Sequence, residues 1–204
     1  MFGNRNYSKS SIRMLVDTTK RSIKKRYDKN EEFEYIDISS IDNTNHEVVS
    51  SATYNLSNAP SRAQQCLKTN DVLVSTVRPN LKNIALFRCN SDLFIASSGF
   101  CVLRAKKCNP TYLLYNVLTD DFTDLMVRLT TGASYPAVRD ADVLDYQIYD
   151  APIDEQNEFA DFVEQIDKLK FNFLLYHHQM VIIQKYLSFF YMAIVFLLIP
   201  FVFL

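Results

Sequence analysis

The sequence predicts an α+β fold, with an irregular, mostly antiparallel sheet and flanking helices, followed by a long coiled-coil helix. Three observations predict it. Short β-branched and aromatic runs, punctuated by turn residues, recur between residues 34 and 104. From Leu113 to Leu129 the apolar residues switch to three- and four-residue steps. From Phe162 to Leu187 they alternate strictly in steps of four and three. At 204 residues, 48% hydrophobic and 22% charged, the chain is long enough for a substantial core and is composed like a globular protein.

Residues 1–30 open with polar and basic sequence. The run Lys20-Arg21-Ser22-Ile23-Lys24-Lys25-Arg26 has few apolar anchors and reads as a loop or arm. Glu34 to Ser39 alternates apolar and polar residues, as a half-buried strand does. Asp71 to Val77 is a β-branched run ended by Pro79, so a second strand is expected there. Ile84 to Phe87, Leu93 to Ala96 and Phe100 to Arg104 give three more. After Pro110 the spacing predicts one amphipathic helix of about five turns, reaching Leu129. A turn-rich loop, Thr130 to Pro136, separates it from a strand-like segment, Val143 to Tyr149. Asp154 is the expected N-cap of the last helix, with Glu155 and Glu158 in its first turn, where the helix dipole favours acids. Its seam is Phe162, Ile166, Leu169, Phe173, Tyr176, Met180, Ile183 and Leu187. A seam this narrow predicts packing along another long helix; the rival is an ordinary core helix. From Tyr186 to Leu204 the chain carries no charge, just enough to cross a bilayer, although Pro200 interrupts the run. A buried helix end is the other reading of this tail.

Composition excludes several chemistries. Only Gly3, Gly99 and Gly132 occur, so no phosphate-cradling glycine loop is available. Cys66, Cys89, Cys101 and Cys108 form no C-x-x-C pair, and His46, His177 and His178 give no H-E-x-x-H, so no zinc site is expected. No apolar run in the first thirty residues resembles a secretory signal. The cytoplasm is therefore the expected compartment, with reduced cysteines; three of the four sit beside apolar neighbours, so buried, inert thiols are the plain reading. The net charge of −1 hides segregation. Residues 1–30 carry +7, 31–60 carry −6, 61–110 carry +6 and 111–171 carry −9. Two basic blocks of this size suit a polyanion, although such blocks are also ordinary solvated surface.

No catalytic constellation emerges. Asn109-Pro110-Thr111-Tyr112 invites comparison with the N-P-P-Y motif of amino methyltransferases, but the second Pro is Thr, and Asn-Pro is an ordinary helix entry. Ser134 follows Gly132-Ala133 like half a nucleophile elbow, without the closing glycine. Asp140, Asp142 and Asp145 lack the glycine and terminal Glu of a calcium loop and read as a solvated face.

Six blocks together resemble a family. They are Tyr35-Ile36-Asp37-Ile38-Ser39-Ser40-Ile41-Asp42; Ala59-Pro60-Ser61-Arg62-Ala63; Asn70 to Leu81, with its Ser75-Thr76-Val77-Arg78-Pro79; Ala96-Ser97-Ser98-Gly99-Phe100-Cys101-Val102-Leu103; Thr131 to Val138; and Ala151-Pro152-Ile153-Asp154-Glu155-Gln156. In order and spacing they are similar to one target recognition domain of the specificity subunits of type I restriction–modification systems. The resemblance covers roughly residues 30–171. It implies a basic N-terminal segment (1–30), a DNA target recognition domain (31–152), a spacer helix (153–187) and an apolar tail (188–204). A full specificity subunit of this kind carries two such domains separated by two antiparallel spacer helices. Here one domain and one helix are present, and Met1-Phe2-Gly3-Asn4 resembles the linker after the first helix.

The resemblance further implies a non-catalytic subunit that reads half of a bipartite double-stranded DNA target and docks a methyltransferase subunit, beside a restriction subunit. It binds no cofactor itself; S-adenosylmethionine, ATP and magnesium belong to the partners. Candidate DNA-binding residues are Arg62, Arg78, Lys82 and Arg88 of the second basic block, with Ser134, Tyr135 and Arg139 in or just after the Thr131–Pro136 loop. Arg and Lys neutralise phosphate, and Arg also grips guanine with two hydrogen bonds. The helix seam implies a homodimer in which two copies rebuild a full subunit. The alternatives are a membrane-anchored interaction protein, suggested by the tail, and the specificity part of a combined methyltransferase–nuclease.

Overall fold

A computed structural model describes residues 7–17, 23, 28–132 and 136–202. The chain forms two compact units, residues 1–158 and 159–204. The basic run at 20–26 lies outside the described residues except for Ile23, which is buried.

The first unit is built on two four-stranded sheets. One has the order β6 (Ala52–Asn55), β3 (Glu32–Ile36), β10 (Phe94–Ser97), β7 (Ala63–Cys66); the other has β2 (Val16–Asp17), β11 (Phe100–Ala105), β8 (Asp71–Ser75), β9 (Ile84–Leu86). Two-stranded pairs are made by β4 (Ile41–Asp42) with β5 (Glu47–Val48), and by β1 (Lys9–Ser11) with β12 (Gln147–Tyr149). Among the described residues every pairing is antiparallel except β3 with β10. β8 does not alternate apolar with polar residues, because all five of its residues, Asp71 to Ser75, are buried. Leu73, Phe87, Phe100 and Val102 form one core cluster with Ile36; Phe33, Tyr35 and Ile95 belong to a second, on the other sheet.

Four expectations are corrected. The helix read as one piece is two, α2 (Pro110–Val117) and α3 (Asp120–Leu129). Leu118 closes the first, and the Thr119 hydroxyl accepts the Phe122 N–H to cap the second, while the apolar periodicity runs on across the break. The strand expected over 143–149 begins as a helical turn, α4 (Asp140–Leu144), capped through Arg139 and Asp142, and only Gln147–Tyr149 pairs as strand. The N-terminal segment joins the body: β1 pairs with β12, β2 pairs with β11, and Ile12 and Leu15 of α1 (Ile12–Leu15) are buried. Two of its charges are paired there, Arg13 with Asp145 at 2.7 Å and Asp17 with Lys106 at 3.1 Å. Lastly, α5 (Ile153–Val202) starts one residue before Asp154, which therefore lies inside the first turn instead of capping it.

That first turn is fastened to the body by Gln156, which is 1% exposed. Its Nε2 donates to Ala151 O at 2.7 Å, and its Oε1 accepts the Asn109 N–H at 2.9 Å. Asn109 in turn caps α2 by accepting from Thr111 and Tyr112 N–H, and its Nδ2 donates to Asn157. Asn109-Pro110 is thus a helix entry, with Pro in the first turn, where its missing N–H costs nothing. Gln156→Leu strands the half-buried Asn109 N–H and the buried Ala151 carbonyl and is expected to lower stability by about 1–3 kcal/mol. A urea midpoint unchanged from wild type would show that Gln156 does not hold this turn.

In the second unit α5 continues to Val202. The seam side chains Phe162, Leu169, Phe173, Tyr176, Met180 and Ile183 are exposed and Ile166 is half-buried; Leu187 lies outside the described side chains, as does the apolar tail. The apolar surface is wider than the seam. Phe171, Leu174, Leu175, Val181 and Ile182 are exposed as well, and they fall between the seam positions of the heptad. Among the described residues, no helix is long and apolar enough to cross a membrane.

Candidate functional site

Four loops meet where β8 ends and β11 begins. Backbone hydrogen bonds join them in a continuous run. Ser98 N–H donates to Arg62 O at 2.7 Å. The next carbonyl, Gly99 O, accepts both the N–H and the hydroxyl of Thr76, each at 2.9 Å. Thr76 O accepts Val138 N–H at 2.9 Å, and Arg78 N–H donates to Pro136 O at 2.9 Å. Thr131 and Ala137 exchange N–H···O bonds across the neck of the last loop. A Cβ at Gly99 would come within 2.8 Å of Ile38 Cδ1, the end of that side chain, which would have to shift. The run places Arg62, Arg78 and the stem of the Thr131–Val138 loop on one ridge.

At its centre is an unusual turn. Pro79–Leu81 forms a single 3-10 turn, flanked by two non-glycine residues in left-handed conformation, Arg78 (φ 48°, ψ 61°) and Lys82 (φ 49°, ψ 40°). Such a conformation costs about 1–3 kcal/mol per residue and persists only when its surroundings impose it. The surroundings here are explicit. Pro79 is buried, Asn43 Nδ2 donates to Leu81 O at 2.9 Å, and Lys82 Nζ donates to Leu118 O at 3.3 Å and to Asp120 at 2.6 Å.

The sequence-predicted residues fall as follows. Arg62 is exposed and lies close enough to Tyr35 to act on it electrostatically. Burial pushes the Tyr35 phenol above its ordinary value and Asp37 adds to this, while a hydrogen bond to Ser97 and the Arg62 charge oppose it. Arg78 is exposed at the turn. Lys82 shares the turn, but its ammonium is held by Asp120, whose carboxyl it keeps below the usual carboxylate range. Arg139 follows the loop and is exposed, but its guanidinium grips Asp142 at 2.8 Å and holds that carboxyl low as well. Ser134 and Tyr135 lie outside the described residues. Arg88 is not brought to the ridge. Leu86 pairs opposite Val72 and Phe87 N–H donates to Asp71 O, so Arg88 stands at the other end of β8, roughly 13 Å along the strand. There it borders a cavity of about 410 Å³ lined by Glu47, Val48, Leu86, Phe87 and Phe94.

Asp140, Asp142 and Asp145 serve the helix start and ion pairs to Arg139 and Arg13, and no group of His, Cys, Asp or Glu among the described residues is placed to hold a metal. The four cysteines are free thiols; Cys89 is exposed, and burial, with help from Asp150, pushes buried Cys108 up to about 11. Sequence reasoning carried Thr76 and Gly99 only as parts of the family blocks, with no role, and missed Asn43. Arg78-Pro79 was the available signal that the chain turns there, because the residue before proline is disfavoured in the right-handed helical region; that rule points to extended backbone and not to the left-handed conformation Arg78 takes.

The family described as type I restriction modification DNA specificity domain matches residues 10–174. Among solved structures, the HsdS subunit from Thermoanaerobacter tengcongensis is 33% identical over 83% of this chain and 45% of its own, with a TM-score of 0.70. A structure reported for complex assembly and conformational transition of the type I R-M system is 34% identical over 79% of this chain and 42% of its own, with the same TM-score. This chain thus spans less than half the length of either. No curated protein matches. The match over four-fifths of the sequence, together with the shared fold, means that the chain belongs to the family of type I restriction–modification DNA specificity domains.

Proposed function

We propose that this chain reads one half of a bipartite double-stranded DNA target with its first unit and docks a methyltransferase subunit through α5. The observation that carries the reading is the ridge: Arg62 and Arg78 are exposed there, on loops that one run of backbone hydrogen bonds fixes against each other. Fixed cations on a fold of this family suit phosphate positioning and guanine recognition. The chain does no chemistry in this reading; S-adenosylmethionine belongs to the methylating partner, and ATP and magnesium to the restriction partner. The apolar surface of α5 supports helix-to-helix docking. Its seam takes a second copy of the chain, and the exposed residues outside the seam remain for the methyltransferase subunit.

Arg78→Ala tests the DNA half of this reading. If Arg78 touches phosphate, affinity falls for every sequence and the salt dependence loses about one unit of slope. If it reads guanine, the loss is about 1–3 kcal/mol and confined to one base position. Unchanged affinity across salt concentrations, with the fold intact by circular dichroism, removes Arg78 from the site.

A further inference from the structure

We infer that Asn80, at the tip of the Pro79–Leu81 turn, reads adenine in the major groove. This rests on the DNA-reading assignment above and names one of its specificity residues. Every neighbour of Asn80 is committed to holding the turn. Pro79 is buried, Arg78 N–H donates to Pro136 O, Leu81 O accepts from Asn43, and the Lys82 ammonium is fixed on Leu118 O and Asp120. Leu81 N–H and Lys82 N–H close the turn on Arg78 O and Pro79 O. Asn80 alone is left over. It is exposed, and its side-chain amide has no hydrogen-bond partner among the described residues.

The backbone around it argues against a merely solvated loop. A solvated turn with two left-handed positions is built most easily with Gly or Asn there, and Asn80 itself would suit one of them. Instead Arg78 and Lys82 carry the strain and Asn80 occupies the tip. The arrangement places a planar amide, one donor edge beside one acceptor edge, on a turn whose backbone is held by hydrogen bonds on both sides. That pair of groups complements adenine N7 and N6–H₂, which no other base presents in the major groove. Leu81, 41% exposed beside it, offers an apolar surface to a thymine methyl.

The test uses the full-length chain, wild type and variants, to select duplexes from a random DNA library that are then sequenced. Wild type is expected to enrich a motif containing an A·T pair that Asn80→Ala relaxes, with discrimination at that position falling about tenfold to a hundredfold while the other positions keep theirs. Asn80→Asp, which presents acceptors only, is expected to move the preference at that position toward C. Because Asn80 is exposed, neither variant should disturb folding. A motif identical in wild type and Asn80→Ala overturns the inference and leaves the DNA-reading assignment standing. So does a uniform loss of affinity at unchanged preference, which marks a backbone contact. A wild-type chain that enriches no motif overturns the DNA-reading assignment and this inference with it.

Discussion

Arg104→Met is expected to destabilise the first unit by about 3–5 kcal/mol, a large fraction of the total for a domain of this size. Asp71 is 0% exposed, at the start of the central strand β8. Its carboxylate accepts Arg104 Nε at 2.8 Å, Arg104 Nη2 at 2.7 Å and the Lys68 N–H at 2.8 Å. Removing the guanidinium leaves a buried charge with one backbone donor. Arg104 also donates to Cys66 O, so the pair ties the two sheets together at the end opposite the ridge. The double variant Arg104→Met/Asp71→Leu should recover most of the loss, because no charge is then left without its partner; the stranded Lys68 N–H keeps the recovery incomplete. Urea denaturation of the three variants decides it. A single variant that loses less than about 1 kcal/mol would mean that Asp71 finds water or another donor.

The second large effect is on assembly. Phe173 is 69% exposed and Leu169 68%, on a helix whose flanking faces are also apolar. A surface of this extent in water calls for a covering partner. With the seam buried between antiparallel copies, Ile166→Asp/Phe173→Asp sets four unpaired charges into the interface, each costing several kcal/mol. Wild type is expected to sediment as a dimer and the variant as a monomer, both with the first unit folded. In the dimer two identical domains read the two half-sites, so the methylated target should be symmetric. A monodisperse wild-type monomer, or a methylated target with two different half-sites, would refute the pairing.

What the sequence disclosed follows from what is local. Val72 and Val74, with Thr76 and Val77 just after them, announce β8 by β-branching, and Asn109-Pro110 announces α2 by capping chemistry. The break at Leu118-Thr119 stayed hidden because apolar spacing continues through it, and only the Thr119 cap resets the axis. Lys9–Ser11 and Val16–Asp17 stayed hidden because each is only two or three residues long and its strand partner lies far along the chain. The site divides in the same way. Arg62 and Arg78 were legible as charges within a basic block. The clamp of Thr76 on Gly99 O joins residues 23 apart and leaves no local trace. Lys82 and Arg88 looked equivalent to Arg78 by composition, yet one is neutralised by Asp120 and the other sits a strand length away.

The pairing of β1 with β12 has a consequence for synthesis. Ser10 and Asp150, hydrogen-bonded at 2.8 Å beside that ladder, are 140 residues apart. At a translation rate of about 5–20 residues per second, the first strand waits roughly 7–28 s for its partner to be made. Through that interval Lys9–Ser11 presents an open strand edge, and Ile12 and Leu15 lack part of their cover. Lys9 and Arg13 set positive charge on this waiting segment, and charge on an open strand edge works against its pairing with another chain.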